Sequence, residues 1–251
     1  MTMRESLPVH DLPTHDRPSE PGHGSFAHVF GRALRGHTCT ALGPSERAEE
    51  VPVHTWRQDA DATDLALLGY CVGRSLDVGC GPGRLTAALA DLGHAVLGID
   101  LVPEAVRQTR DRGVPALRCN AFDRVPGEGQ WHSVLLADGN VGIGGDPVAL
   151  LQRTGELLGT DGRVVVELAG PGVPATTRWL ALECDSLRSR SFPWSVVGTD
   201  DIEAVARASG FGSAEVHRLS DVRWCAVLRP GPHGSAVPVA RRLQRHGVTD
   251  P

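Results

Sequence analysis

The sequence contains no lysine, and all 25 of its basic residues are arginine. This absence excludes enzymes that work through a lysine amine: Schiff-base enzymes, nucleotide hydrolases with a P-loop lysine, and short-chain dehydrogenases with a Tyr-x-x-x-Lys pair. Arginine in place of lysine, together with 30 glycines and 18 prolines, is typical of proteins from GC-rich bacterial genomes. A bacterial source is therefore expected, and the chemistry of the chain must use other side chains.

Aromatic residues are also scarce, at 4% of the chain, and the formal net charge is -5. Surfaces that bind nucleic acids combine a cationic excess with rings that stack on bases, so we expect no nucleic-acid partner. No apolar run approaches the length of a membrane span, and the N-terminal residues lack the apolar stretch of a secretory signal. These features predict a cytoplasmic protein with no membrane partner.

The six cysteines never stand in a C-x-x-C spacing, and several lie in apolar runs typical of buried strands or helices. In a cytosolic protein this pattern indicates free core thiols rather than disulfides or a zinc site. We therefore expect neither a disulfide nor a bound metal. The six residues are Cys39, Cys71, Cys80, Cys119, Cys184 and Cys225.

The composition changes along the chain in a way that predicts its domain organisation. Residues 1–24 are rich in proline and histidine and poor in large apolar residues, so a disordered tail with solvated histidines is expected. Residues 25–73 predict an N-terminal cap, and residues 74–229 predict the main domain. An insertion at about 170–198 interrupts that domain, and residues 230–251 predict a C-terminal tail.

Short apolar strands alternate with amphipathic helices after residue 74, which is the pattern of a parallel sheet covered by helices on both faces. We expect an α/β fold with seven strands in a mostly parallel sheet, behind the N-terminal cap. A Phe-Pro-Trp turn is expected at 192–194 within the insertion. The predicted strands are 75–78, 95–99, 116–119, 133–137, 163–168, 213–219 and 222–228, and the predicted helices are 26–36, 61–71, 83–92, 103–112, 146–158 and 200–209.

A glycine-rich turn joins the first of these strands to its helix, in the run LDVGCGPGRL from Leu76 to Leu85. Glycine is required where a ligand approaches the main chain closely or where φ is positive, and the helix that follows points its amide donors at the ligand. A dinucleotide site has the spacing G-x-G-x-x-G, which would place glycine or alanine at position 84. Arg84 stands there instead, and Asp77 comes two residues before the first glycine.

This run resembles motif I of the class I S-adenosylmethionine-dependent methyltransferases, in which the form D-V-G-C-G-x-G is especially common. The resemblance covers residues 60–228 and is closest over 75–100. It implies a Rossmann-like, doubly wound sheet, S-adenosylmethionine as the cofactor, and methyl transfer as the reaction. Two positions depart from the family pattern: Asn120 stands where Asp is frequent, and Trp131-His132 stands where Phe-Asp is usual.

The resemblance also implies roles for residues at the edge of the sheet. Asp77 would face the ammonium group of the cofactor, Asp100 would accept hydrogen bonds from both ribose hydroxyls, and the Asn120 amide would pair with the adenine edge. The glycine turn would hold the methionine part of the cofactor. The implied cofactor-binding residues are Asp77, Gly79, Cys80, Gly81, Asp100, Leu101, Asn120, Ala121, Ala137 and Asp138.

Polar residues at the ends of the fourth and fifth parallel strands are the candidates for catalysis. Asp138 and Asn140 follow the fourth strand, where ligands bind in open α/β folds, although Asp and Asn beside glycine also form ordinary turns. Glu167 lies at the end of the fifth strand. A hydroxyl acceptor would need one of these groups as a general base, whereas a neutral amine would need less help. Further candidate bases are the cap histidines His28, His37 and His54.

Aromatic residues concentrate in the cap and the insertion, where we expect them to enclose a small and partly apolar acceptor. The alternative is that each ring belongs to the ordinary core. The six residues are Phe26, Phe30, Trp56, Trp179, Phe192 and Trp194.

The predicted function is methyl transfer to an O or N atom of a small molecule, in bacterial small-molecule or secondary metabolism. A protein or tRNA substrate would more naturally bring an appended recognition domain, and the sequence shows none. Three alternatives stay open: an NAD(P)-dependent oxidoreductase, a non-catalytic scaffold or sensor that binds the cofactor, and sulfonium chemistry other than methyl transfer. The sequence does not indicate an oligomeric state.

Overall fold

The computed structural model describes residues 23–43 and 48–231. The two expected tails therefore lie almost entirely outside the described residues. The strands are β1 (His23–Gly24), β2 (Cys39–Leu42), β3 (Glu49–Glu50), β4 (Ser75–Val78), β5 (Val96–Asp100), β6 (Ala116–Arg118), β7 (Trp131–Leu136), β8 (Leu158–Leu168), β9 (Thr176–Cys184), β10 (Leu187–Ser189), β11 (Phe192–Val196), β12 (Phe211–Arg218) and β13 (Trp224–Pro230). The helices are α1 (Phe26–Leu34), α2 (Val53–Trp56), α3 (Ala62–Leu68), α4 (Arg84–Asp91), α5 (Pro103–Asp111), α6 (Pro147–Leu157) and α7 (Ile202–Ala208), with a 3-10 helix at Asn140–Gly145.

The larger sheet has seven strands in the order β12-β13-β8-β7-β4-β5-β6. Strands β6, β5, β4, β7 and β8 run parallel to one another, and β13 is antiparallel to both β8 and β12. The prediction of a mixed α/β fold with a mostly parallel sheet is confirmed. Because the chain moves from β4 to β5 and β6 on one side and later to β7 and β8 on the other, the strand order reverses at β4, and ligands bind at such a point in open α/β sheets.

Both faces of this sheet are buried, which explains the unbroken apolar runs in its central strands. Leu135 and Leu136 on β7 are both fully buried, yet they belong to different cores because successive side chains on a strand point to opposite faces. Leu136 packs in the core that includes α6, and Leu135 packs with Leu67 and Leu89 from α3 and α4. Helix α3 therefore belongs to the packing of the sheet rather than to a separate cap.

A second sheet combines the N-terminal segment with the insertion, in the order β1-β10-β9-β2-β3, and β11 also pairs with β9. We call these six strands the roof sheet. The expected turn at 192–194 is wrong, because these residues form part of β11 and pair with Arg178, Trp179 and Leu180. Sequence spacing does not reveal this arrangement, since β2 and β9 lie more than 130 residues apart in the chain.

A disulfide joins Cys39 on β2 to Cys184 on β9 across the roof sheet. The expectation that all six cysteines are free thiols is therefore wrong for this pair, because the antiparallel register places the two residues directly opposite each other. The other four cysteines are free, and Cys71, Cys80 and Cys225 are buried.

Two features are absent from the described part of the chain. Among the described residues, no helix combines the length and hydrophobicity that a bilayer span requires. Nowhere in 23–43 and 48–231 do three His, Cys, Asp or Glu side chains gather so that they could hold a metal ion.

Candidate cofactor and acceptor site

A cavity of about 450 Å³ lies at the carboxyl ends of β4, β5 and β7. One wall is formed by the turns that follow these strands, and the opposite wall is formed by α1, α2 and the roof sheet. Its volume falls within the range of about 300–1,000 Å³ that is common for small-molecule sites. The fold thus places a ligand-sized cavity at the point where the strand order reverses.

The glycine turn after β4 forms the floor of this cavity. Gly79 and Gly81 have φ values of 74° and 54°, a left-handed backbone region that favours glycine. A Cβ on Gly79 would lie 2.7 Å from the side-chain nitrogen of Asn140, whereas a Cβ on Gly81 would meet no atom within 4 Å. A side chain on Gly79 would therefore clash with Asn140. Because Gly81 carries no side chain, its backbone is accessible from the cavity.

Asp100 ends β5, and two main-chain amides hold its carboxylate in place. Its Oδ2 accepts a hydrogen bond from the Gly81 amide at 3.0 Å, and its Oδ1 accepts one from the Val102 amide at 2.8 Å. Burial raises the pKa of Asp100, and these two amide bonds oppose the rise. Each oxygen retains a lone pair that can accept a further hydrogen bond from a ligand hydroxyl.

Asp77 on β4 is a buried carboxyl group whose Oδ2 accepts a hydrogen bond from the Thr86 hydroxyl at 2.6 Å. Burial raises the pKa of Asp77 to about 7. A cation bound in the cavity would favour the ionised form and would lower this pKa. Asp77 is thus suited to a positively charged ligand group.

Asp138 follows β7 and lines the cavity with a left-handed backbone, at a φ of 52°. Its Oδ1 accepts a hydrogen bond from Arg84 Nη2 at 2.6 Å, and its main-chain amide donates to Glu167 Oε2 at 2.8 Å. Burial raises the pKa of Asp138 to about 6, while the Arg84 charge opposes the rise. The Asp138 carboxyl group therefore lies at the cavity wall and can gain or lose a proton near neutral pH.

Asp138 belongs to a larger group of five charged residues, which we call the acid–arginine network. Arg84 Nη1 also donates to Asp64 Oδ2, and Arg223 Nη1 donates to Asp64 Oδ1 at 2.8 Å. Arg223 Nε donates to Glu167 Oε1 at 2.7 Å, which closes the chain of contacts back to Asp138. The network consists of Asp64, Arg84, Asp138, Glu167 and Arg223.

The three predicted catalytic residues differ in their positions relative to the cavity. Asp138 and Asn140 line the cavity, but Glu167 does not, and both of its oxygens are hydrogen bonded within the acid–arginine network. Asn140 Nδ2 donates to the main-chain oxygens of Val78 and Gly79, each at 2.9 Å. Asn140 thus supports the glycine turn, and Glu167 positions Asp138 from behind the cavity wall.

All ten predicted cofactor-binding residues line this one cavity. The Asn120 side-chain oxygen accepts a hydrogen bond from the Phe122 amide at 3.0 Å, which leaves its NH₂ group available to a ligand. The three cap histidines are not among the lining residues, and His37 instead contacts Asp185 outside the cavity. No described histidine lines the cavity.

Aromatic rings form a continuous wall on one side of the cavity. The centroids of Phe26 and Phe30 lie 5.4 Å apart in a stacked pair, and Phe26 meets Phe192 edge-on at 4.8 Å. Trp56 and Trp194 extend the wall at its two ends. The chain has five tryptophans, one tyrosine and five phenylalanines, and five of these residues line this cavity. We call this wall the aromatic wall.

Trp179 is not part of the aromatic wall, so the expectation for this residue is wrong. It lies on β9 and is 60% exposed. Side chains alternate along a strand, and its neighbour Leu180 faces the cavity instead.

Comparisons with known proteins agree with this geometry. Residues 76–162 match the family model described as a methyltransferase domain. An 81-residue segment is 50% identical to the Ubiquinone biosynthesis O-methyltransferase of Xanthomonas campestris pv. campestris, over 31% of this chain and 30% of that protein. These matches cover about a third of the chain and show that this segment is similar to a methyltransferase domain.

Solved structures show that the methyltransferase fold extends well beyond the matched segment. A SAM-dependent methyltransferase from Bacteroides fragilis has a TM-score of 0.69 at 20% identity, over 82% of this chain and 94% of that one. The 1,6-didemethyltoxoflavin-N1-methyltransferase of Burkholderia thailandensis has a TM-score of 0.52 at 18% identity, over 88% and 99%. The match to the curated Xanthomonas relatives, by contrast, spans less than a third of their length.

Sequence reasoning missed Asp64 and Arg223 at this site, and it missed the contact of Arg84 with Asp138. One signal was present, because Arg84 replaces the small residue that a dinucleotide site needs. No signal points to the other two, since Asp64 and Arg223 are 159 residues apart and meet only in the folded chain.

Proposed function

We propose that the chain binds S-adenosylmethionine in this cavity and transfers its methyl group to a small molecule held against the aromatic wall. The observation that carries this proposal is that the glycine turn, the Asp100 carboxylate and the aromatic wall open into the same cavity. The first two features suit the nucleoside and amino-acid parts of the cofactor, and the third suits an apolar acceptor. A cofactor site and an acceptor site in one cavity are what a group-transfer enzyme requires.

The charges of the cavity also fit this cofactor. Asp77, Asp100 and Asp138 line it, and Arg84 is the one cationic side chain among the described lining residues. Arg84 is already paired with two carboxylates. A negatively charged wall attracts a sulfonium and an ammonium group, whereas it repels the pyrophosphate of a nicotinamide cofactor. This contrast supports methyl transfer over the oxidoreductase alternative.

The relatives support a small-molecule acceptor. One is named as an O-methyltransferase of ubiquinone biosynthesis, and another as an N1-methyltransferase with bound 1,6-didemethyltoxoflavin. The methylated atom is oxygen in one name and nitrogen in the other. We therefore place this chain in the same general class, with either atom as the acceptor.

Each residue of the site has a distinct task in this reaction. When bound, the cofactor supplies an activated methyl group on a positively charged sulfur. Asp77 and Asp100 orient it through its ammonium and ribose groups, and the roof sheet excludes water from the acceptor. The Asp138 carboxylate lies at the same wall and accepts the proton that the acceptor O–H or N–H loses as the new bond to carbon forms.

Isothermal titration with S-adenosylhomocysteine, NADH and NADPH tests the cofactor assignment, and we expect binding of the first alone. Incubation of small-molecule acceptors with S-adenosylmethionine bearing a CD₃ group should then produce a labelled product in mass spectrometry. Binding of S-adenosylhomocysteine without transfer to any acceptor would favour the scaffold or sensor alternative. Binding of NADH or NADPH alone would overturn the proposal.

The charge of Asp77 should make cofactor affinity depend on pH. Above about pH 7 the ionised carboxylate attracts the ammonium of S-adenosylhomocysteine, and below it the protonated form does not. We expect the association constant to decrease as the pH falls through this region, by no more than about tenfold per pH unit for one proton. Titrations between pH 5.5 and 8 measure this slope. An Asp77→Asn variant should bind more weakly with no such slope, and an unchanged slope in that variant would refute the assignment.

Asp138 should matter for turnover rather than for cofactor affinity. Asp138→Asn keeps the size of the side chain and can still accept the Arg84 hydrogen bond, but it cannot accept a proton. We expect the rate of transfer to an acceptor found in the screen to fall about 100-fold, while S-adenosylhomocysteine affinity stays within about threefold. The matched control is Asp146→Asn, which changes the N-cap of α6 outside the cavity and should leave the rate unchanged. Equal rates in the two variants would exclude Asp138 as the base.

A further inference from the structure

The strand register of the roof sheet determines which side chains face the acceptor. Ala41 on β2 lies directly opposite Glu49 on one side and Leu182 on the other. Leu180 is two residues from Leu182 on β9, and it lies opposite Phe192. Opposed residues, and residues two apart on a strand, share a face of the sheet. All five of these residues line the cavity, so together they form its roof.

This face is apolar except at its edge, where Glu49 supplies a carboxylate. The next residue, Glu50, also lines the cavity and lies opposite Thr40. On β9, Glu183 lies opposite Thr40 as well, and it does not line the cavity. Because successive side chains alternate, the register places Glu49 on the face of Ala41 and Leu182 and places Glu183 on the other face. Glu49 forms no ion pair or side-chain hydrogen bond with any residue in the described part of the chain. Its charge is thus available to a ligand.

The aromatic wall adds a second reason to expect a cationic ligand group. Faces of Phe and Trp rings attract ammonium groups through their quadrupoles, by about 0.5–2 kcal/mol depending on hydration. An anionic acceptor would meet repulsion from Glu49 and from Asp138, because the Arg84 charge is shared with Asp64 and Asp138.

We propose that the acceptor is a small aromatic or hydrophobic amine, and that its ammonium group pairs with Glu49 while its apolar body packs on the aromatic wall. This inference rests on the proposed function and names the substrate class of the same cavity. Glu49 is then the residue that selects amines over neutral and acidic molecules of the same shape. The methylated atom is another nucleophile of the same molecule, because an ammonium nitrogen has no lone pair to attack a methyl carbon.

Two sets of commercially available compounds test this selection without knowledge of the natural acceptor. The first set is tryptamine, tryptophol and indole-3-acetate, and the second is phenethylamine, 2-phenylethanol and phenylacetate. Each set keeps the ring and changes the end group from cationic to neutral to anionic. We titrate each compound into the full-length protein saturated with S-adenosylhomocysteine. In at least one set, the amine should bind about tenfold more tightly than the alcohol, and the acid should bind least tightly.

Two variants assign the preference to one residue. Glu49→Gln should reduce the amine affinity to about that of the alcohol, whereas Glu183→Gln should retain the preference. The two variants make the same chemical change on the roof sheet, but Glu49 lines the cavity and Glu183 does not. The amine preference of the unaltered protein should also shrink between 50 and 500 mM salt, because exposed charge pairs are screened.

The outcomes separate this inference from the proposed function. If S-adenosylhomocysteine binds but amines and alcohols bind equally, or none of the six compounds binds at millimolar concentration, then the amine assignment is overturned and the cofactor assignment stands. A loss of preference in both variants, or in neither, also overturns the role of Glu49. If S-adenosylhomocysteine itself fails to bind, the proposed function fails first.

Discussion

Replacement of Asp64 by alanine should lower the free energy of unfolding by about 3–4 kcal/mol. Asp64 is 3% exposed and accepts hydrogen bonds from both Arg84 and Arg223. Burial alone would raise the pKa of Asp64, but the two guanidinium groups outweigh it and hold the pKa below its usual range. Asp64 also forms a capping box with Asp61 at the start of α3. The variant loses the cap and leaves two buried cations with fewer acceptors, and neither arginine can release its proton.

Thermal unfolding followed by circular dichroism measures this effect, and a decrease in Tm of about 6–12 °C is expected for a chain of this size. The matched control is Asp59→Ala. Asp59 also pairs with an arginine, Arg112, at 2.9 Å, but its side chain is 96% exposed. Exposed pairs contribute about 0–1 kcal/mol, so this variant should unfold close to the temperature of the unaltered protein. If both variants shift Tm equally, the buried network does not have the stabilising role we assign to it.

Replacement of Gly81 by alanine should weaken S-adenosylhomocysteine binding at least about tenfold. Gly81 has a positive φ and lines the cavity, and a Cβ on this residue would meet no atom within 4 Å. An added methyl group there would occupy volume needed by the ligand and would strain the turn that places the Gly81 amide against Asp100. The loss should appear in calorimetric titrations as a weaker dissociation constant with an unchanged stoichiometry.

Gly93→Ala is the matched control for this change. Gly93 also has a positive φ, and a Cβ there would also meet no atom within 4 Å, but the residue follows α4 and does not line the cavity. Both variants therefore carry a similar backbone strain of about 1 kcal/mol. Similar decreases in Tm with a loss of affinity confined to Gly81→Ala are expected. Unchanged affinity in Gly81→Ala would show that the ligand does not approach this turn.

The parts of the molecule that could be predicted from sequence depend on local patterns. Strand β4 has the predicted bounds of Ser75–Val78, and the helix after the glycine turn begins at Arg84, within one residue of the prediction. Alternation of short strands and amphipathic helices was sufficient to predict the mostly parallel sheet. The motif predicted ten cofactor-binding residues that the structure brings to one cavity, because they lie at or just after the carboxyl ends of neighbouring parallel strands, which share one edge.

The parts that sequence reasoning missed depend on contacts between distant segments. Side-chain periodicity predicts a strand but does not identify the strand with which it pairs. The pairing of β2 with β9 and the disulfide between Cys39 and Cys184 therefore could not be predicted from the sequence. The same applies to the acid–arginine network, where each charged residue alone resembles an ordinary surface group.

The origin of the roof sheet in two separate stretches of chain has a consequence for how substrate preference can change. The floor that would hold the nucleoside is encoded by residues around β4 and β5, whereas the ceiling above the acceptor is encoded by β2, β3, β9 and β11. Under the proposed function, substitutions in the ceiling would therefore change the acceptor while the floor keeps its ligand. During synthesis, this ceiling can close only after β11 has left the ribosome, because β2 pairs with β9 and β9 pairs with β11.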